Sequence, residues 1–142
     1  MNIASLLTPK ADVEFVYDDF SLRQCIEKIT FHGYSAIPVL KRDGRYVTTL
    51  SQSDLLTFIY KKAQGMEDQS MSLKALESIP LSALNLKDKN PPCAINTEPE
   101  DVVFMAMEQN FIPVVDDYGT FIGIVRRKDI LVYLATSTYR EI

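Results

Sequence analysis

The sequence predicts a domain of mixed helices and strands, built twice from one unit in the order helix, strand, strand, helix. Three observations carry this. Ile37-Pro38-Val39-Leu40, Gly44 and Asp54-Leu55-Leu56 return as Ile112-Pro113-Val114-Val115, Gly119 and Asp129-Ile130-Leu131. Pro38 and Pro113, Gly44 and Gly119, and Asp54 and Asp129 are each 75 positions apart, a shared register that indicates duplication. In both copies apolar residues at helical spacing give way to two short apolar runs and then resume helical spacing.

In the first copy Leu22, Cys25, Ile26 and Ile29 follow one helical face, with Asp18 or Asp19 as the expected cap and Gly33 just past the end. Ala36 to Leu40 and Tyr46 to Leu50 read as strands around the turn Arg42-Asp43-Gly44-Arg45. Pro38 cannot donate to a ladder, so its strand is expected to be short, irregular or at an edge. Ser51 then caps a helix carrying Leu55, Leu56, Phe58 and Ile59, and Asp54 stands where a capping box places its acid.

The second copy repeats the order. Thr97, Pro99 and Glu100 start a helix with Val102, Val103, Ala106 and Met107 on one side. Phe111 to Val115 and Thr120 to Val125 form a hairpin around Asp116-Asp117-Tyr118-Gly119. The closing helix runs from about Arg127, with Ile130, Leu131, Leu134 and Ala135 inward. A short strand leads each copy, Val13 to Val16 and Cys93 to Asn96. Between the copies Gly65 to Ser72 reads as a polar linker, Leu73 to Leu84 as a short helix interrupted at Pro80, and Lys87 to Pro92 as a loop. The organisation is thus repeat 1 over 1–64, a linker with a short helix over 65–90, and repeat 2 over 91–142, in one module.

Composition narrows the function classes. A chain of 142 residues with 46% apolar and 24% charged residues can bury a core and is not a disordered type. Its formal net charge of -4 argues against a broad electrostatic grip on nucleic acid or an anionic membrane. Cys25 and Cys93 form no CxxC pair, and Cys25 on an apolar helical face reads as a small buried hydrophobe. No signal peptide precedes the first apolar residues and no apolar run approaches bilayer length, so a reducing cytoplasm is expected. His32 is the only histidine and has no evident catalytic or metal partners. With no phosphate-cradling glycine loop, nucleophile elbow or metal-ligand cluster, the chain reads as a binding protein with no cofactor rather than an enzyme.

The repeated residues resemble the CBS domain, named for cystathionine beta-synthase, which normally occurs as a tandem pair. The first copy carries the pattern as Gly33-Tyr34-Ser35-Ala36-Ile37-Pro38-Val39, Gly44 and Ser51-Gln52-Ser53-Asp54. The second carries it as Ile112-Pro113-Val114-Val115-Asp116, Gly119, Gly123 and Arg126-Arg127-Lys128-Asp129. The resemblance implies an α+β fold whose two CBS repeats pack by their strands with pseudo-twofold symmetry, leaving clefts for adenine nucleotides. The second copy departs from the pattern. Its helix-to-strand stretch is about four residues shorter, and Arg126 replaces the usual Ser or Thr. In these departures, in Gly33 to Leu40, in Glu108 to Phe111 and in the basic residues opening the last helix, the chain is similar to small standalone bacterial CBS proteins that bind cyclic di-AMP.

Arg126, Arg127 and Lys128 are cations at an expected helix start, where they oppose the dipole unless an anion sits nearby. The plainer reading is a solvated basic face paired with Asp116, Asp117 or a dimer partner. Ser35 and Ala36 would let a base approach the backbone, or would simply permit tight packing. Asp54 is implied to accept from ribose hydroxyls, and its capping role need not exclude this. Asp129 is similar, or a salt-bridge partner for the neighbouring cations. Lys10, with Ala11 and Val13, occupies the stretch that approaches ligand in the resembling group. Tyr34 stacks on a base or covers core, the latter being the expectation.

The leading expectation is therefore a nucleotide-sensing, cytoplasmic homodimer that binds cyclic di-AMP, in the cleft between the repeats, and signals to a partner protein. A stringent-response synthetase or a metabolic enzyme is the partner class the resemblance implies. The alternatives are an AMP- or ATP-binding regulator, a ligand-free dimeric adaptor, and an enzyme, which turnover of an adenine nucleotide would reveal.

Overall fold

Helix starts and stops are set by local chemistry in each repeat. The structure, a computed structural model, describes residues 2–65, 72–86 and 89–141, with side chains as far as residue 136. The elements are α1 (Ile3–Leu6), β1 (Thr8–Pro9), a 3-10 turn (Lys10–Asp12), β2 (Val16–Tyr17), α2 (Leu22–His32), β3 (Ala36–Leu40), β4 (Tyr46–Ser51) and α3 (Gln52–Ala63). There follow α4 (Leu73–Leu76), a 3-10 turn (Leu81–Ala83), β5 (Cys93–Ala94), α5 (Pro99–Glu108), β6 (Phe111–Val115), β7 (Phe121–Arg126) and α6 (Arg127–Glu141). The fold is α+β, with helix–strand–strand–helix twice: α2-β3-β4-α3 and α5-β6-β7-α6.

The chain forms two compact units that do not follow its halves. One comprises Met1–Val13, Gly44–Tyr46 and Asn90–Ile142; the other comprises Glu14–Asp43 and Val47–Lys89. In the first, a four-stranded sheet runs β1-β7-β6-β5, with β5 parallel to β6 and the other neighbours antiparallel. Its core is Ile3, Cys93, Val102, Ala106, Ile112, Val114, Val125 and Ile130. In the second, β2-β3-β4 carries a core that includes Val16, Leu22, Cys25, Ile29, Ile37, Val39, Leu50 and Leu55. Complete burial pushes the Cys25 thiol up to about 12, consistent with a packing role.

Several expectations need correction. The cap of α2 is Ser21, whose hydroxyl accepts from the Gln24 amide while the Gln24 side chain accepts from the Ser21 amide. Asp19 is instead held by Arg42 through two bonds of 2.8 and 2.9 Å, and Asp18 lies 3.6 Å from Lys41. The start of α5 has Glu98 rather than Thr97 as its cap residue, with Pro99 at the first helical position. The leading strand of copy one is Val16–Tyr17, and Val13 closes the 3-10 turn by donating to the Lys10 carbonyl. Its counterpart is trimmed to Cys93–Ala94.

The proline strands β3 and β6 are inner strands, not edges. The parallel partners β2 and β5 are two residues long and pair only beyond each proline, at Val39-Leu40 and Val114-Val115. The absent N–H therefore interrupts no bond to them.

The apolar faces are also narrower than spacing implied. Ile130 is buried, but Leu131 is 65% exposed, Leu134 is 40% exposed and Ala135 is exposed. Leu56 and Met107 are exposed as well. The Ser51 cap with Asp54, the left-handed Gly33 after α2, and the Phe111–Val115 strand are as expected. The expected linker falls mainly on 66–71, and part of the expected loop on 87–88, outside the described residues. Among the described residues no helix is long and apolar enough to cross a membrane.

Candidate functional site

The candidate residues fall into two clusters, one in each unit. Lys10, Ala11, Val13 and Arg126 to Asp129 belong to the first unit, and Tyr34, Ser35, Ala36 and Asp54 to the second.

In the first unit β7 ends at Arg126 and α6 begins at Arg127, so the basic run sits at a strand-to-helix junction. Its three cations do different things. Arg126 donates from Nε to Asp129 Oδ2 at 2.9 Å and from Nη2 to Oδ1 at 3.3 Å. This is the salt-bridge reading of Asp129, with the aspartate at the third position of α6 also favoured by the helix dipole. Arg127 is engaged by protein acceptors. Its Nε donates to the Ala106 carbonyl at 2.7 Å, its Nη1 to Asn110 Oδ1 at 2.9 Å, and its amide to the Asn110 carbonyl at 2.9 Å. Ala106 lies in the last turn of α5, where carbonyls lack helical partners and a cation is favourable. Lys128 is exposed and makes no hydrogen bond or ion pair among the described residues.

An open groove of about 480 Å³ runs beside this junction, with Arg126, Asp129 and Tyr133 on one wall and Ser5 and Thr8 on the other. The opposite wall exists because β1 pairs with β7, Thr8 opposite Ile124 and Pro9 opposite Gly123. Gly123 makes this possible: a Cβ there would stand 2.2 Å from the Thr8 carbonyl oxygen. The same pairing carries the turn with Lys10, Ala11 and Val13 alongside β7. Lys10 Nζ reaches to 4.0 Å of where a Cβ on Gly44 would be.

In the second unit the loop before β3 and the start of α3 are tied together. The Gln52 amide donates to the Ser35 carbonyl at 2.9 Å, and the Gln52 side chain to the Tyr34 carbonyl at 2.7 Å. Tyr34 does not cover core. It is 41% exposed and stacks on His32 with ring centres 5.5 Å apart. Ser35 is exposed and Ala36, the first residue of β3, is half-buried. His32 in turn lies 3.6 Å from Glu14, an ordinary helix-end contact.

Asp54 is the electrostatic centre of this cluster. Its Oδ2 accepts from the Ser51 amide at 2.9 Å, and its own amide donates to Ser51 Oγ at 3.1 Å. Its Oδ1 accepts from Lys89 Nζ at 2.6 Å. Burial pushes the carboxyl up, but the hydrogen bonds from Lys89 and Ser51 outweigh that and hold it below its ordinary value. Lys89 is the residue that sequence reasoning missed. It lies 35 positions away in an expected loop, with no motif around it, and its positive charge alone does not say which carboxylate it meets. Among the described residues no group of three or more His, Cys, Asp or Glu is placed to hold a metal.

A family model for the CBS domain matches residues 3–61 and 86–136. An uncharacterized protein of Methanocaldococcus jannaschii is 28% identical over 138 residues, covering 82% of each chain. Among solved structures, CbpB in complex with c-di-AMP is similar with a TM-score of 0.84 and 21% identity, covering 99% of this chain and 88% of that one. CBSX2 in complex with AMP is similar with a TM-score of 0.73 and 19% identity, covering 96% and 98%.

Proposed function

The chain belongs to the CBS-domain family, with two copies of the domain, and on that premise we propose that it is a regulatory protein that binds an adenine nucleotide, cyclic di-AMP first, and signals occupancy to a partner protein. The observation that carries this is the exposed Lys128 beside Arg126 at the first turn of α6. Arg126 is 45% exposed and pairs with Asp129 by i,i+3 contact, an arrangement that exchanges readily for a phosphate. Phosphate oxygens there meet two cations at a helix start, where the dipole favours an anion. The solved structures of similar fold with c-di-AMP and with AMP support the ligand class. Arg127 supports the site by holding α5 to α6, not by touching ligand.

Nucleotide binding regulates only if the ligand prefers one state of the protein over another. The partner is a protein, of the stringent-response or metabolic class, and the setting is the bacterial cytoplasm. Catalysis has no part in this reading. The chain acts as a homodimer: Leu56 and Tyr60 on α3 are 70% and 64% exposed, and Leu131 and Val132 on α6 are 65% and 62% exposed, more apolar surface than either helix gains from leaving it bare. Light scattering on the purified chain should give twice the 16.1 kDa chain mass, and a single-chain mass at micromolar concentration contradicts the assembly.

The same exposed residues favour a second reading, a dimeric adaptor that docks its partner without a ligand. A thermal-shift panel with cyclic di-AMP, AMP and ATP separates the two. A ligand at a hundred times its dissociation constant stabilises by about 2.7 kcal/mol, which moves the midpoint by several degrees. The regulatory reading expects that shift, largest for cyclic di-AMP; no shift with any of the three leaves the adaptor.

A further inference from the structure

The two oxygens of Asp54 keep different company. Oδ2 is turned to the helix cap at Ser51, whereas Oδ1 meets the Lys89 ammonium at 2.6 Å. Lys89 is anchored through its backbone as well, because its amide donates to Thr48 Oγ1 at 3.2 Å. Thr48 is buried in β4, so the lysine enters from a fixed point. The Asp54 side chain is 17% exposed and that of Lys89 39%, which leaves the pair accessible from one side.

We propose that Lys89 is a specificity-determining residue of the Asp54 site, selecting adenine nucleotides that carry a phosphoryl group on the ribose 3′ oxygen over those with a free 2′,3′-diol. The proposal rests on the reading that Asp54 faces the ribose of a bound nucleotide.

An aspartate alone at that edge of a ribose selects a diol. It accepts from two hydroxyls and repels a phosphate through like charge. Dinucleotide-binding proteins use this contrast, an acid for a free hydroxyl and a nearby cation for a phosphate in its place. Here both are present and in contact. Lys89 offsets the charge of Asp54 and occupies the oxygen that a diol would use. A diol therefore competes with a charge-assisted bond. A phosphoryl group on the 3′ oxygen brings an anion to the ammonium instead, and leaves the 2′ hydroxyl to the carboxylate. Cyclic di-AMP, esterified at both 3′ oxygens, belongs to the selected class.

AMP and adenosine 3′,5′-bisphosphate differ only in the 3′ phosphate and are the probes. Each is titrated calorimetrically into the intact chain and into Lys89→Met, Lys89→Gln and Lys89→Arg. The intact chain should prefer the bisphosphate. Lys89→Met and Lys89→Gln should weaken the bisphosphate by about ten-fold while moving AMP by no more than about two-fold, and Lys89→Arg should retain the preference. The ratio of the two constants is the readout, since a general loss of structure would weaken both ligands together. An unchanged ratio in the Met and Gln variants overturns the role of Lys89 while leaving nucleotide binding intact. If the intact chain binds neither probe nor cyclic di-AMP, the nucleotide reading itself falls and this assignment with it.

Discussion

The side chain of Arg127 donates from Nε to the carbonyl oxygen of Ala106 at 2.7 Å, joining the first residue of α6 to the last turn of α5. With the Asn110 contacts this makes Arg127 a bridge between two helices rather than a free cation. Lys128, its neighbour, has no such duty. The two should separate cleanly by substitution. Arg127→Ala should cost about 1–2 kcal/mol in denaturant unfolding, because charge-assisted bonds to a helix end are lost. Lys128→Ala should change stability by less than about 0.5 kcal/mol. Equal stability of the two variants would remove the bridging role.

Asp54 makes stability depend on acid in a defined direction. Its folded value lies below the ordinary one, through Lys89 and Ser51 overcoming the effect of burial. The ionised form is thus favoured by folding. Its contribution is complete above the ordinary carboxylate range and is lost as pH falls through the folded value. Chemical denaturation of the intact chain and of Asp54→Asn should differ most near neutrality, and the two should converge only as pH falls below the ordinary carboxylate value and through the folded one. A difference that grows on acidification would reverse the sign of this account.

Gly123 holds the N-terminal segment to β7 by having no side chain. A Cβ there would stand 2.2 Å from the Thr8 carbonyl oxygen and 2.9 Å from Leu7 Cδ1. The first of these is backbone and cannot swing aside, so Gly123→Ala should push β1 away from β7. Limited proteolysis of this variant should cut within residues 2–13 well before the rest of the chain. Cleavage kinetics identical to the unmodified chain would show that the strand adjusts without release.

What could be read from the sequence was what is local along it. Ser51 and Asp54 are three apart, and Gly33 follows directly on the apolar spacing of α2, so a cap and a stop were visible without tertiary information. The 75-residue register exposed the duplication for the same reason: it compares like with like along one chain. Long-range partners were not visible. Nothing near Lys89 marks it as the partner of Asp54, and nothing near Arg127 marks Ala106 and Asn110 as its acceptors. Three adjacent cations therefore looked equivalent, and the structure divides them. Spacing does not reveal exposure on α6 because its apolar residues lie on more than one side: Ile130 packs inward while Leu131 and Val132 face out. The place of residues 1–13 with the second repeat was hidden because the pairing of Thr8 and Pro9 depends on a residue with no side chain.

The most direct test of the central claim is a calorimetric titration of cyclic di-AMP into the intact chain at low and at raised salt, repeated with Arg126→Ala and Lys128→Ala. Cyclic di-AMP should bind saturably and more weakly as salt rises, with a further loss of about ten-fold for each variant and stability preserved. Tight binding that is indifferent to salt and to both substitutions would contradict that claim, as would the absence of binding to the intact chain.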